Sequence, residues 1–173
     1  HTRLQGDWSS DVCSSDLVAF DPYAEMLELA RAHIAGQADA AELVSRIEFV
    51  RATLEDFSTL DEFAPRIEPG SYDLVHAGFV LPFVLPARFD ACFARLIASM
   101  RPGAIFSGQF FGPDDEFIRA AKPGTMSSQD ERSVRRLFDG LEILSFEEVN
   151  RLGKIGKGRE KWWHVFHVAA RRA

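Results

Sequence analysis

The chain has 173 residues, 46% of them hydrophobic and 27% charged, which is enough to bury the core of one globular domain. Its net charge of −6 speaks against a nucleic-acid partner, because phosphate binding needs clustered lysine and arginine. No apolar run approaches the roughly 20 residues that cross a bilayer, and two cysteines, Cys13 and Cys92, are too few for a disulfide framework or a zinc cluster. A reducing, cytoplasmic setting is the expectation.

Residues 1–17, HTRLQGDWSSDVCSSDL, carry neither a helical nor a strand period, and no cap or turn logic. They also lack the basic start and apolar middle of a signal peptide. The segment resembles an in-frame translation of a sequencing adapter along its whole length. Native sequence is therefore expected to begin near Val18, with 1–17 a disordered leader and 18–173 a partial domain.

Val18, Ala19 and Phe20 form a short apolar run ending at Asp21-Pro22. Asp is a good N-cap and Pro suits the first helical turn, so a helix is predicted from here to about Gly36. Leu27, Ala30 and Ile34 recur along it at helical spacing. A second helical piece follows at 39–45, then an alternating strand at 47–50. Residues 54–69 read as a polar connection with one helical turn. A buried strand at 72–77 leads to an amphipathic helix at 89–99, stopped by Arg101-Pro102-Gly103. The next strand, 104–111, ends at Gly112-Pro113. A charge-laced helix is predicted over 127–138, closed by Gly140, and two last strands over 141–149 and 163–170. Alternating strands and helices imply a mostly parallel sheet covered on both faces. The last two strands, joined by the polar loop 151–161, should form an antiparallel hairpin.

Ligands of open α/β sheets bind beyond the carboxyl ends of the strands. That rule selects Asp21, the turn Thr53-Leu54-Glu55, His76 and its followers, and Gln109 to Gly112. It also selects Trp162, Trp163 and His164, which begin the antiparallel last strand. A carboxylate that ends a strand, as Asp21 does, is placed to accept hydrogen bonds from both hydroxyls of a nucleoside sugar; Asp21 is equally the residue type that caps a helix. The run GKIGKG at 153–158 looks like a phosphate loop but leads into a strand rather than a helix, so it reads as a hairpin tip. His164 and His167, three apart on a strand, point to opposite faces, which argues against a shared metal.

Five blocks, VAFDPYAEMLELARA, IEFVRATLEDF, YDLVHAGFVLPFV, FARLIASMRPGAIFSGQFFG and KWWHVFHVAARR, are spread in order from 18 to 172. In that order they resemble class I S-adenosylmethionine-dependent methyltransferases, with the nearest likeness to small-molecule enzymes of the tellurite-resistance-like group. The resemblance implies a Rossmann-like doubly wound sheet with an antiparallel C-terminal strand, and S-adenosylmethionine as cofactor. Asp21, followed by Pro22, takes the place of the acidic sugar ligand. Thr53 and Leu54 stand where the family often has Asp and an apolar residue beside the adenine; Thr53 departs from that Asp, and a backbone N–H of Leu54 or Glu55 can serve instead. His76 would lie near the methionine portion. Phe79, Phe83, Gln109 and Trp163 would wall the substrate pocket, although apolar residues after a strand are also ordinary core. His76 and His164 are the candidates for a base.

The family also has a first strand and a Gly-x-Gly-x-Gly turn roughly twenty residues before the acidic residue. Here that position falls inside the adapter-like segment, where Gly6 stands alone. The strand and loop are expected to be missing, and S-adenosylmethionine binding by this chain to be impaired. The expected activity of the parent protein is methyl transfer to a small molecule, without nucleic acid or membrane as partner. The rivals are a nicotinamide-dependent oxidoreductase, NAD(P)-linked and Rossmann-type, and a catalytically inactive α/β fragment or binding module. The acceptor and the oligomeric state are left open.

Overall fold

The structure, a computed structural model, describes residues 17–59, 68–155 and 158–173. Expectations for residues 1–16 and for the connection at 60–67 lie outside the described residues. The chain forms two compact units that divide between Thr53 and Leu54.

In the first unit, β1 (Leu17–Asp21) pairs in parallel with β2 (Ile47–Arg51), bringing Asp21 opposite Arg51. The strand thus begins at Leu17, one residue inside the adapter-like segment. Two helices connect the strands, α1 (Ala24–Ala35) and α2 (Ala40–Ser45). The helix begins later than the Asp-Pro pair suggests. Its N-cap residue is Tyr23, with no side-chain cap, because the Asp21 carboxylate turns back to accept the Tyr23 N–H at 2.8 Å. Asp21 closes a strand; it does not cap the helix.

The second unit opens with α3 (Leu54–Thr59) and is built on a four-stranded sheet of order β3-β4-β6-β5. The strands are β3 (Tyr72–Ala77), β4 (Met100–Phe111), β5 (Leu141–Lys154) and β6 (Glu160–Arg172). β3 and β4 run parallel, joined through α4 (Pro86–Ser99), whereas β6 is antiparallel to both neighbours. Parallel strands with an antiparallel closing hairpin are the arrangement the alternating pattern implied.

The differences lie at element ends. α4 starts at Pro86, earlier than the apolar period, because proline is pre-set for a first turn and Glu55 accepts the N–H of Leu85 at 2.7 Å. Its last carbonyls, Ile97 and Ala98, accept from the Arg172 guanidinium at 3.0 Å. The exposed helix is shorter than predicted, α6 (Glu131–Leu137), since Asp130 caps it by accepting the Ser133 N–H at 2.7 Å. Ser127 instead is buried and donates its hydroxyl to the Val84 carbonyl. The polar stretch expected as the loop 151–161 is mostly strand: Arg151 pairs with Trp163 and Lys154 with Glu160. A one-turn helix absent from the sequence reading, α5 (Glu116–Ala120), follows β4.

The core of the second unit is aromatic. Phe106 and Phe110 alternate onto one face of β4 and meet Phe93 of α4 and Phe138 at centroid distances of 5.3–5.9 Å, mostly edge to face. That geometry aligns ring edges with ring faces and adds to the burial gain. The apolar period placed Phe89, Cys92, Phe93, Leu96 and Ile97 on one face of α4; the first four are buried and Ile97 is half-buried.

Candidate functional site

Asp21 stands at the carboxyl tip of β1. One carboxylate oxygen accepts from Tyr23, its backbone carbonyl accepts the Ala52 N–H at 3.3 Å, and its second carboxylate oxygen has no hydrogen bond among the described residues. Pro22, exposed beside it, offers its carbonyl to Arg51 at 3.3 Å. An anchored carboxylate with one open oxygen is suited to accept from a hydroxyl. Thr53 is half-buried and ends the first unit.

In the second unit, Leu54 is buried at the start of α3 and the Glu55 side chain is committed to the start of α4. The carboxyl ends of β3 and β4 and the beginning of β6 carry a connected aromatic cluster. Phe79 lies 6.0 Å from both Phe111 and Trp163 and meets His167 edge-on at 6.4 Å. Phe83 lies 6.5 Å from Phe111, which in turn lies 6.4 Å from Trp163. Gln109 Oε1 accepts the Phe79 N–H at 3.1 Å. Gln109 and Trp163, picked out by the strand-end rule, and Phe79 and Phe83, named as pocket walls on the family resemblance, are thus linked directly or through Phe111.

Phe79 has a φ of 52°, a left-handed conformation that a bulky side chain rarely adopts. Gln109 and the ring contacts hold it there. His76, three residues earlier, is exposed and makes no hydrogen bond among the described residues. Its ring lies against Gly78: a Cβ there would come within 2.9 Å of Nε2.

His164 is different. Its Nδ1 accepts the Asp114 N–H at 3.1 Å and its Nε2 lies 3.0 Å from Glu148 Oε1. Since Nδ1 accepts, the ring proton sits on Nε2 and is donated to Glu148. Both nitrogens are occupied and the residue is buried, so it is not available as a base. Gly112 makes room for it, because a Cβ at that position would meet the ring at 2.4 Å.

Behind the aromatic cluster lies a buried ion pair that sequence reasoning missed. Lys161 and Asp115 are both 0% exposed and bonded to each other. Asp115 also accepts the N–H of Phe117 at 3.0 Å and of His164 at 3.1 Å. The Lys161 ammonium sits 3.9 Å from the Phe117 ring centroid, 4.0 Å from that of Trp163 and 4.8 Å from that of Phe111. The sequence signal was Pro-Asp-Asp-Glu ahead of an apolar turn, an N-cap pattern; nothing local marked Lys161 as its partner.

Around this pair two half-buried carboxylates are held below their usual range. Hydrogen bonds from the Trp162 N–H and from Arg159 lower Glu116, and those from Asn150 and Arg119 lower Asp114. A separate cleft of ≈ 570 Å³ lies between the start of α4 and α6, lined by Phe89, Asp90, Gln129, Ser133 and Arg136 among others. It contains none of the residues selected from the sequence. Among the described residues no helix is long and apolar enough to cross a membrane.

No family model and no curated protein matches the chain. Solved structures do. TehB from Haemophilus influenzae has a TM-score of 0.65 at 14% identity, over 91% of this chain and 50% of that one. A SAM-dependent methyltransferase from Methanosarcina mazei gives 0.61 at 14% identity, over 91% and 82%. The N-methyltransferase NodS from Bradyrhizobium japonicum WM9, in complex with S-adenosyl-L-homocysteine, gives 0.60 at 13% identity, over 91% and 66%. The chain therefore has the Rossmann-like fold of SAM-dependent methyltransferases, and it spans half the length of TehB.

Proposed function

We propose that the protein transfers a methyl group from S-adenosylmethionine to a small-molecule acceptor. The observation that carries this reading is Asp21: a carboxylate at a strand's carboxyl tip, one oxygen fixed by the Tyr23 N–H and the other open among the described residues, in a chain with a methyltransferase fold. The cofactor supplies a methyl on a sulfonium, an electrophile that already carries a good leaving group. The protein's task is then to hold two reactants in line and exclude water.

In this reading Asp21, with Pro22 beside it, takes the sugar hydroxyls. Thr53 and the backbone of Leu54 and Glu55 flank the adenine, without the carboxylate contact that an Asp in place of Thr53 would supply. His76 is the candidate proton acceptor for a neutral nucleophile, whereas the ring nitrogens of His164 are spent on Asp114 and Glu148. The fit is partial. The sugar end has a suitable acceptor, but no Gly-x-Gly-x-Gly run occurs anywhere in the sequence, so close backbone approach to the amino-acid end is not provided by such a turn.

Thermal unfolding of the full chain tests the reading. S-adenosylhomocysteine at millimolar concentration should raise the midpoint, NADH should not, and Asp21→Ala should abolish the shift, since a hydrogen bond to a charged group contributes about 1.5–3 kcal/mol. Stabilisation by NADH alone would favour the oxidoreductase; indifference to both would favour an inactive fragment.

A further inference from the structure

We propose that the acceptor is a neutral, planar aromatic or heteroaromatic molecule, stacked on a wall formed by Phe79, Phe83 and Trp163. The inference rests on the methyl-transfer reading only in naming the occupant an acceptor; the wall lies wholly within the second unit.

The first support is exposure. Phe79 is 40% and Phe83 58% exposed, yet both rings rest on the buried Phe111. Large apolar rings left open to water on an ordered base mark a surface that something apolar covers. The second support is strain. The Phe79 backbone holds an unfavourable positive φ, and Gln109 receives its N–H from the neighbouring strand. Strain of this kind persists where the surroundings over-determine it, and here its effect is to hold the Phe79 ring against Phe111 and Trp163.

The third support is charge, and it narrows the class. Among the described residues, the ammonium lying against Phe111 and Trp163 is that of Lys161, which is fully buried and neutralised by Asp115. An oxyanion or carboxylate would gain no accessible partner from that pair and would lose hydration against the rings. Arg159, near the hairpin tip, is paired with Glu116 at 2.9 Å. A cationic acceptor fares no better: the ammonium of Lys161 already draws on the π-density of Phe111 and Trp163, and a second cation would be repelled by it. A neutral ring suffers neither penalty and packs edge or face against its neighbours.

The test is calorimetric or saturation-transfer titration of the full chain, without cofactor, using quinoline, benzoate, tetramethylammonium and selenite as probes. Quinoline should bind at least about tenfold more tightly than each charged probe. Phe79→Gly removes the ring while relieving the backbone strain, so the protein stays folded by circular dichroism yet loses quinoline affinity about tenfold. Trp163→Ala should weaken it similarly, and Trp162→Phe, on the opposite face of the strand, should leave it unchanged. Tighter binding of benzoate, selenite or tetramethylammonium, or undiminished quinoline binding by Phe79→Gly, would overturn the proposal. Quinoline binding by a chain whose stability ignores S-adenosylhomocysteine would sustain the aromatic wall while rejecting methyl transfer.

Discussion

The two compact units bury their apolar residues to very different degrees. Among the described residues of the first, Leu27, Val50 and Ala52 are buried, while Leu17, Tyr23, Met26 and Leu29 are more than half exposed. The second packs a lattice of phenylalanines between α4 and β4, with Phe106, Phe110 and Phe138 at 2% exposure or less. The two paired strands described in the first unit make a marginal sheet by themselves, whereas four strands with a packed face do not. The comparison teaches that the sugar-binding candidate, Asp21, and the aromatic wall stand on platforms of unequal rigidity. A loss of ligand binding at Asp21 can therefore occur with the aromatic wall intact.

The sharpest way to break that comparison is to attack the second unit's core. Phe106→Ala should cost about 3–5 kcal/mol in urea unfolding, against on the order of 1 kcal/mol or less for Val50→Ala in β2. Equal costs would erase the distinction. Lys161→Met should also cost about 3–5 kcal/mol, because it strands the buried Asp115 carboxylate, and adding Asp115→Asn should recover part of the loss. A mild effect of the single change would mean that the pair is solvated. Hydrogen exchange sharpens the contrast without mutation: amides of β4 and β6 should exchange far more slowly than those of β1 and β2.

The smallest expected effect concerns pH. Glu116 accepts from the Trp162 N–H and from Arg159, which hold its carboxyl below the ordinary value. A group whose folded pKa is depressed adds stability above its unfolded pKa and loses it as pH falls through the folded one. The stability curve should thus decline as pH drops from about 5 toward 3, and Glu116→Gln should make that decline shallower. An unchanged slope would show that this carboxylate does not help to anchor the start of β6.

Much of the aromatic wall was legible in the sequence because its logic is local. Strand ends are marked by Gly112-Pro113 and by the run after Ala77, and the strand-end rule then selects Gln109 and Trp163, whereas Phe79 was named only on the family resemblance. Asp21 was legible for the same reason, although its carboxylate proved to accept from the N-cap residue Tyr23 rather than to act as the cap itself. The limits of α6 and of the β5–β6 hairpin were not. Asp130 and Asp115 are equally good caps by composition, and the polar residues 151–154 become strand only because β6 pairs with them.

By itself the sequence determined where the chain alternates, where it turns, and which carboxylate and rings gather at strand tips, since periods, caps and breakers act over a few residues. Only the tertiary structure decided that Lys161 meets Asp115, 46 positions away, and that His164 is locked by Asp114 and Glu148. It alone also set Phe79 in a left-handed turn. Those outcomes depend on which strands become neighbours. In a buried setting each polar group must find whatever partner the packing brings within reach.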